Sequence, residues 1–85
     1  MSVEERVTNL VAGQMCVPLS KVTLDSRFQE DWGMDSLDGA ECRMWLEDEF
    51  SVEISDEKAE ELLTVRDVVE YIESEIDRLG LKTGD

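Results

Sequence analysis

Residues 35–50 read DSLDGAECRMWLEDEF, and the spacing of their apolar side chains decides the fold. On a wheel of about 100° per residue, Cys42, Leu46 and Phe50 fall in one stripe with Gly39 beside it. Such a stripe buries one side of a helix against a core. Leu37, Ala40 and Met44 make a second apolar line on another side, among Ser36, Glu41, Glu47 and Asp48. A helix that only covered a core would not need that second line. An exposed apolar strip rimmed by carboxylates suits docking into a basic, apolar groove; the competing explanation is that Leu37 and Met44 pack beneath the connection that precedes the helix. Asp35 stands where a side chain can cap the first free N–H groups, and Asp38 complements the helix dipole. Ser36 then takes the first helical position, with its hydroxyl directed outward. A phosphate on that oxygen would be favoured by the dipole by up to about 1 kcal/mol, while Asp35 and Asp38 oppose it unless a cation or a basic partner intervenes.

Working outward, Val3, Val7, Leu10, Val11 and Met15 recur at helical spacing, and Ser2 with Glu5 fits a capping box. These predict a first helix over residues 3–15, in which Gly13 costs about 1 kcal/mol relative to Ala and marks a place where another element packs close. Pro18 ends the pattern. Residues 17–34 hold neither a helical nor an alternating period, so a long loop is expected there, with Val17, Leu19, Val22, Leu24, Phe28 and Trp32 available to pin it to the core. Beyond Phe50 and the SVEI segment, a short helix is expected over residues 56–62, capped by Ser55 or Asp56. Thr64 and Asp67 form a second capping-box start. Val65, Val68, Val69, Ile72, Ile76 and Leu79 make the apolar stripe of a last helix, and Gly80 closes it with a left-handed residue. The tail LKTGD is expected to be loose. The fold expected is all-α: a small four-helix bundle of three main helices and one short one, with a long loop between the first two and residues 1–85 as a single, free-standing domain.

Composition narrows the function. At 85 residues there is room for one small core and not for a roomy preformed cleft. The chain has 22 acids against 8 bases, for a net charge of −14. Residues 30–61 hold 13 of those acids and two of the bases, Arg43 and Lys58, so most of the excess lies around the second helix. Nucleic acid and anionic membrane surfaces are repelled by such a chain, and its partners should be basic. Histidine is absent, which removes the commonest general base and excludes a Ser-His-Asp or Cys-His site within the chain. The two cysteines, Cys16 and Cys42, have no zinc-site spacing, and both are expected to be small buried hydrophobes. No basic segment precedes an apolar run at the N-terminus and no stretch reaches the length of a membrane span, so a cytoplasmic, monomeric protein is expected.

The run DWGMDSLDGAECRMWLEDEFSVEI resembles the attachment region of acyl carrier proteins, in which Gly-x-Asp-Ser-Leu opens the second helix. Gly33, Asp35, Ser36, Leu37 and Asp38 stand in the family's places, and the resemblance extends through V-E-I-x-D-E to the final helix. It implies that Ser36 receives 4'-phosphopantetheine from coenzyme A through a phosphodiester, with Asp35 and Leu37 beside it. The thiol of that arm would hold acyl groups as thioesters. The resemblance further implies docking through Asp38, Ala40, Glu41, Met44, Glu47 and Asp48 to a phosphopantetheinyl transferase and to acyl-transferring synthases or ligases with basic surfaces. The core between helices would be lent to the acyl chain, and the domain itself would perform no chemistry and hold no metal.

Some positions depart from the family pattern. Arg43 stands where a small or branched aliphatic is usual and Trp45 where a small residue is common; Trp32 and Met34 replace leucine and alanine. Arg43 is expected to pair with Glu47, one turn on. The sharper reading is that Arg43 and Trp45 mark a specialised carrier. The alternative function is an acidic helical interaction module with no prosthetic group, distinguished by the absence of covalent mass on Ser36.

Overall fold

The computed structural model describes residues 2–80, which form helices joined by turns and irregular segments, with no strand among the described residues. The first helix, α1, spans Val3–Met15. Its capping box is complete: the Ser2 hydroxyl accepts the Glu5 N–H at 3.2 Å, and the Glu5 carboxylate accepts the Ser2 N–H at 3.2 Å. Val3, Val7 and Val11 are buried, and Leu10 and Met15 pack partly against them. Gly13 faces open space, with nothing within 4 Å of a Cβ built there, so no close packing explains it.

The long connection is more structured than its sequence period indicated. A 3-10 turn spans Leu19–Lys21 and a five-residue helix, α2, spans Phe28–Trp32. Phe28 is buried in the core and meets Trp32 edge to face, with ring centroids 5.9 Å apart. Val22 and Leu24 pack on the core as expected, whereas Leu19 is 52% exposed and pins nothing. A five-residue helix, under about one and a half turns, is too short to show a hydrophobic period, which is why residues 28–32 read as loop.

The third helix, α3, spans Ser36–Phe50, and α4 spans Asp56–Glu61 with Ser55 as its cap. The last, α5, spans Val65–Leu79. Its four initial N–H groups, which no helix can satisfy internally, all have partners. Val65 N–H donates to Ser26 O at 3.1 Å and Arg66 N–H to Leu24 O at 2.9 Å. Asp67 N–H donates to the Thr64 hydroxyl at 3.1 Å, and the N–H of the cap residue Thr64 donates to the Asp67 carboxylate at 3.2 Å. The long connection is thereby sewn to the start of α5, and Phe28 N–H adds a bond to Leu63 O at 3.2 Å.

α1 packs on both α3 and α5. Between them lies one core whose fully enclosed members include Val7, Val11, Val65 and Ile72; each such aliphatic contributes about 1.5–3 kcal/mol by leaving water. Leu79, assigned to the apolar stripe of α5, is 45% exposed. Gly80 ends α5 at φ +70°, in the left-handed conformation expected of it. The tail LKTGD lies outside the described residues. Among the described residues, no helix is long and apolar enough to cross a membrane.

Candidate prosthetic-group site

The start of α3 is built by a change of direction at Gly33. This residue adopts φ +63°, ends α2, and donates its N–H to Gln29 O at 2.9 Å, while Met34 N–H donates to Phe28 O at 3.0 Å. A side chain at Gly33 would be strained there for conformational reasons alone. Two residues later Asp35 is extended (φ −94°, ψ −176°) and caps α3. Its Oδ1 accepts the Asp38 N–H at 2.8 Å, and the Asp38 carboxylate reaches back to the Asp35 N–H at 3.5 Å, the longer and weaker half of a reciprocal pair.

Ser36 is the first residue of α3 and is exposed. Its hydroxyl makes no hydrogen bond among the described residues. The first-turn N–H groups of Ser36 and Leu37 are those a helix leaves free for an anion. The two acids beside Ser36 are each occupied by a backbone N–H, so the like-charge opposition expected from Asp35 and Asp38 is partly absorbed by the cap. An accessible serine oxygen at the positive end of a 15-residue helix fits a phosphodiester linkage. A nucleophile working by itself would need a partner base, and among the described residues the Ser36 hydroxyl is hydrogen-bonded to none.

Down α3 the two faces separate as the wheel predicts. Cys42, Leu46 and Phe50 are buried. Burial pushes the Cys42 thiol up to about 11, because the thiolate would lose its hydration. Leu37 and Met44 are 66% and 64% exposed, which disposes of packing beneath the preceding connection. Ala40, Glu41 and Asp48 are exposed beside them. Glu41 accepts a hydrogen bond from the Gln14 amide at 3.2 Å, which holds one oxygen toward α1 and leaves the charge at the surface.

Glu47 is half-buried and its carboxylate accepts the Ile54 N–H at 2.8 Å, so it also fastens the segment after α3. Two other readings change. Arg43 pairs with Asp56 at the start of α4, not with Glu47; that hydrogen bond is also the main reason its guanidinium is held more firmly protonated than usual. Cys16 is exposed, as the left-handed residue that ends α1, so only Cys42 behaves as a buried hydrophobe.

The fold and this helix start define a carrier domain, and comparison with known proteins agrees. Residues 5–72 match the family model described as a phosphopantetheine attachment site. The acyl carrier protein of Akkermansia muciniphila is 49% identical over 72 residues, covering 85% of this chain and 90% of that protein. The chain belongs to the acyl carrier protein family, and its prosthetic group is 4'-phosphopantetheine. The arm supplies a terminal thiol on which acyl groups are held as thioesters.

Proposed function

We propose that Ser36 is the residue that bears the arm. The observation that carries this is its exposed, unbonded hydroxyl at the first position of α3. In the attachment reaction Ser36 Oγ forms the new bond to phosphorus and the pyrophosphate bond of coenzyme A breaks. The adenosine bisphosphate portion leaves with the bridging oxygen, and the hydroxyl proton passes to a base on the transferase, since the flanking carboxylates of Asp35 and Asp38 are engaged by backbone N–H groups. Asp35 holds the first turn of α3 so that the oxygen projects, and Leu37 supplies an exposed apolar contact immediately beside it.

The docking surface for the transferase and for acyl-handling synthases or ligases is the outward side of α3. Leu37, Ala40 and Met44 give it a grip, and Asp38, Glu41 and Asp48 give it charge. Charge of one sign concentrated in this way speeds encounter with basic partners and permits rapid release. The domain presents its cargo to enzymes and is not itself a catalyst. A net charge of −14 disfavours binding to anionic membrane surfaces and to nucleic acid, and we place the protein in the cytoplasm on its likeness to a bacterial acyl carrier protein.

The test is intact mass before and after incubation with coenzyme A and a broad-specificity phosphopantetheinyl transferase. A gain of one phosphopantetheine in the native chain and none in Ser36→Ala is expected. Unchanged mass in folded native protein, with the transferase active on another carrier, would favour the acidic interaction module instead.

A further inference from the structure

Trp45 stands outside the set of contacts proposed above, yet it is 56% exposed on the same helix. Glu41 lies four residues before it and Asp48 three residues after it, spacings that make them neighbours of the indole on the helix surface. Neither Trp45 nor Asp48 has an ion-pair or cation–aromatic partner among the described residues. One turn further on, the chain shows what such a pair of groups accepts. The Arg6 guanidinium bonds the Glu49 carboxylate at 2.8 Å while lying 4.5 Å from the centroid of the Phe50 ring. α3 therefore carries a carboxylate near an aromatic residue twice, consecutive in sequence at Glu49 and Phe50 and one helical turn apart at Trp45 and Asp48. Arg6 of α1 fills the inner copy, and the outer copy, Asp48 with Trp45, faces solvent.

We propose that Trp45 and Asp48 form a seat for an arginine side chain of a partner protein, extending the Leu37–Met44 docking strip. The inference rests on the reading of α3 as the docking face. Arginine suits the seat better than lysine: its planar guanidinium stacks on an indole while its fork of N–H groups meets a carboxylate, whereas an ammonium is a compact, strongly hydrated point charge. A second copy of this chain is a poor occupant, because two surfaces of −14 net charge repel, and an anionic lipid surface is excluded on the same ground. The partner is thus a protein with a basic, apolar surface that places arginine, specifically, over Trp45. In this way the seat selects among basic partners that the acidic surface alone would attract equally.

The experiment uses the full chain carrying its prosthetic group, with the added mass verified in every sample so that failure of the carrier reading is seen separately. Two synthetic amphipathic helical peptides serve as probes, identical except that the charged positions are arginine in one and lysine in the other. Binding is followed by anisotropy of a dye on the peptide. The arginine peptide should bind the native chain about three- to tenfold more tightly, Trp45→Ala should abolish that preference, and Trp45→Phe should retain part of it. Met44→Ala should weaken both peptides and leave the preference intact. Melting curves establish that each variant is folded. An arginine preference that survives Trp45→Ala overturns the proposal, as does equal binding of the two peptides, or no binding of either, to the native chain.

Discussion

Replacing Asp35 separates the geometry of the α3 start from its charge. The Asp35 carboxylate accepts the Asp38 N–H at 2.8 Å, a good charge-assisted bond, while the reciprocal bond from the Asp35 N–H to Asp38 is stretched to 3.5 Å. Asp35→Ala deletes the good bond and leaves the Asp38 N–H without a protein partner, a loss of about 1 kcal/mol for an N-cap. For a domain of this size that lowers Tm by roughly 4–8 °C. Asp35→Asn keeps an acceptor oxygen in place and removes one unit of a −14 net charge, so it should stay within about 0.3 kcal/mol of the native chain, asparagine and aspartate being nearly equal caps. Asp38→Ala, which loses only the stretched bond and a favourable dipole contact, should cost less than about 0.5 kcal/mol. The assay is urea and thermal unfolding followed by far-UV circular dichroism. If Asp35→Asn falls as far as Asp35→Ala, the carboxylate acts through charge and not as a hydrogen-bond acceptor. A larger loss in Asp38→Ala than in Asp35→Ala would reverse the roles assigned to the two residues.

Three further outcomes are expected. Gly13→Ala should stabilise the chain by about 0.5–1 kcal/mol in urea melts, because the site is an open helical position where only backbone entropy is at stake. No side chain of α4 is fully buried and Arg43 holds its first residue, so Arg43→Ala should speed amide exchange in α4 by a few-fold while leaving the core amides of α5 unchanged. Iodoacetamide at mildly alkaline pH should label Cys16 alone in the native state and both cysteines in urea, as mass spectrometry would show. The Cys42 thiol also carries a pH signature. Its folded value, about 11, lies above the ordinary 9.0, so the neutral form stabilises the fold fully below pH 9 and that contribution is lost as pH climbs through 11. The urea midpoint should therefore fall more steeply over that range in the native chain than in Cys42→Ala.

Most of the helices and the candidate site were legible because their determinants are local. Ser2 with Glu5, Asp35 with Asp38 and Thr64 with Asp67 close their boxes within three residues, so the helix starts follow from neighbouring side chains alone. The stripe of Cys42, Leu46 and Phe50 repeats every four residues and tells the buried side of α3 without reference to what buries it. The exposure of Ser36 was legible by the same route, since it follows from its place directly after a cap. Arg43 was misread for the opposite reason. Glu47 was its obvious partner on one helix face, but the chain after Phe50 brings Asp56 within reach and gives Glu47 the Ile54 N–H to hold. Cys16 was misjudged because residue type predicts burial only on average, whereas the end of α1 turns it outward.

What the sequence by itself determined is therefore the identity of the helices, the sides they bury and the position of the serine, all encoded at separations of three or four residues. Tertiary structure alone decided how the long connection is held. Its anchors are the carbonyls of Leu24, Ser26 and Leu63, met by the N–H groups of Arg66, Val65 and Phe28. Those groups are backbone, present at nearly every position whatever the side chain, so no residue pattern announces which will meet; only the closure of the core around Phe28 and Val65 brings them together.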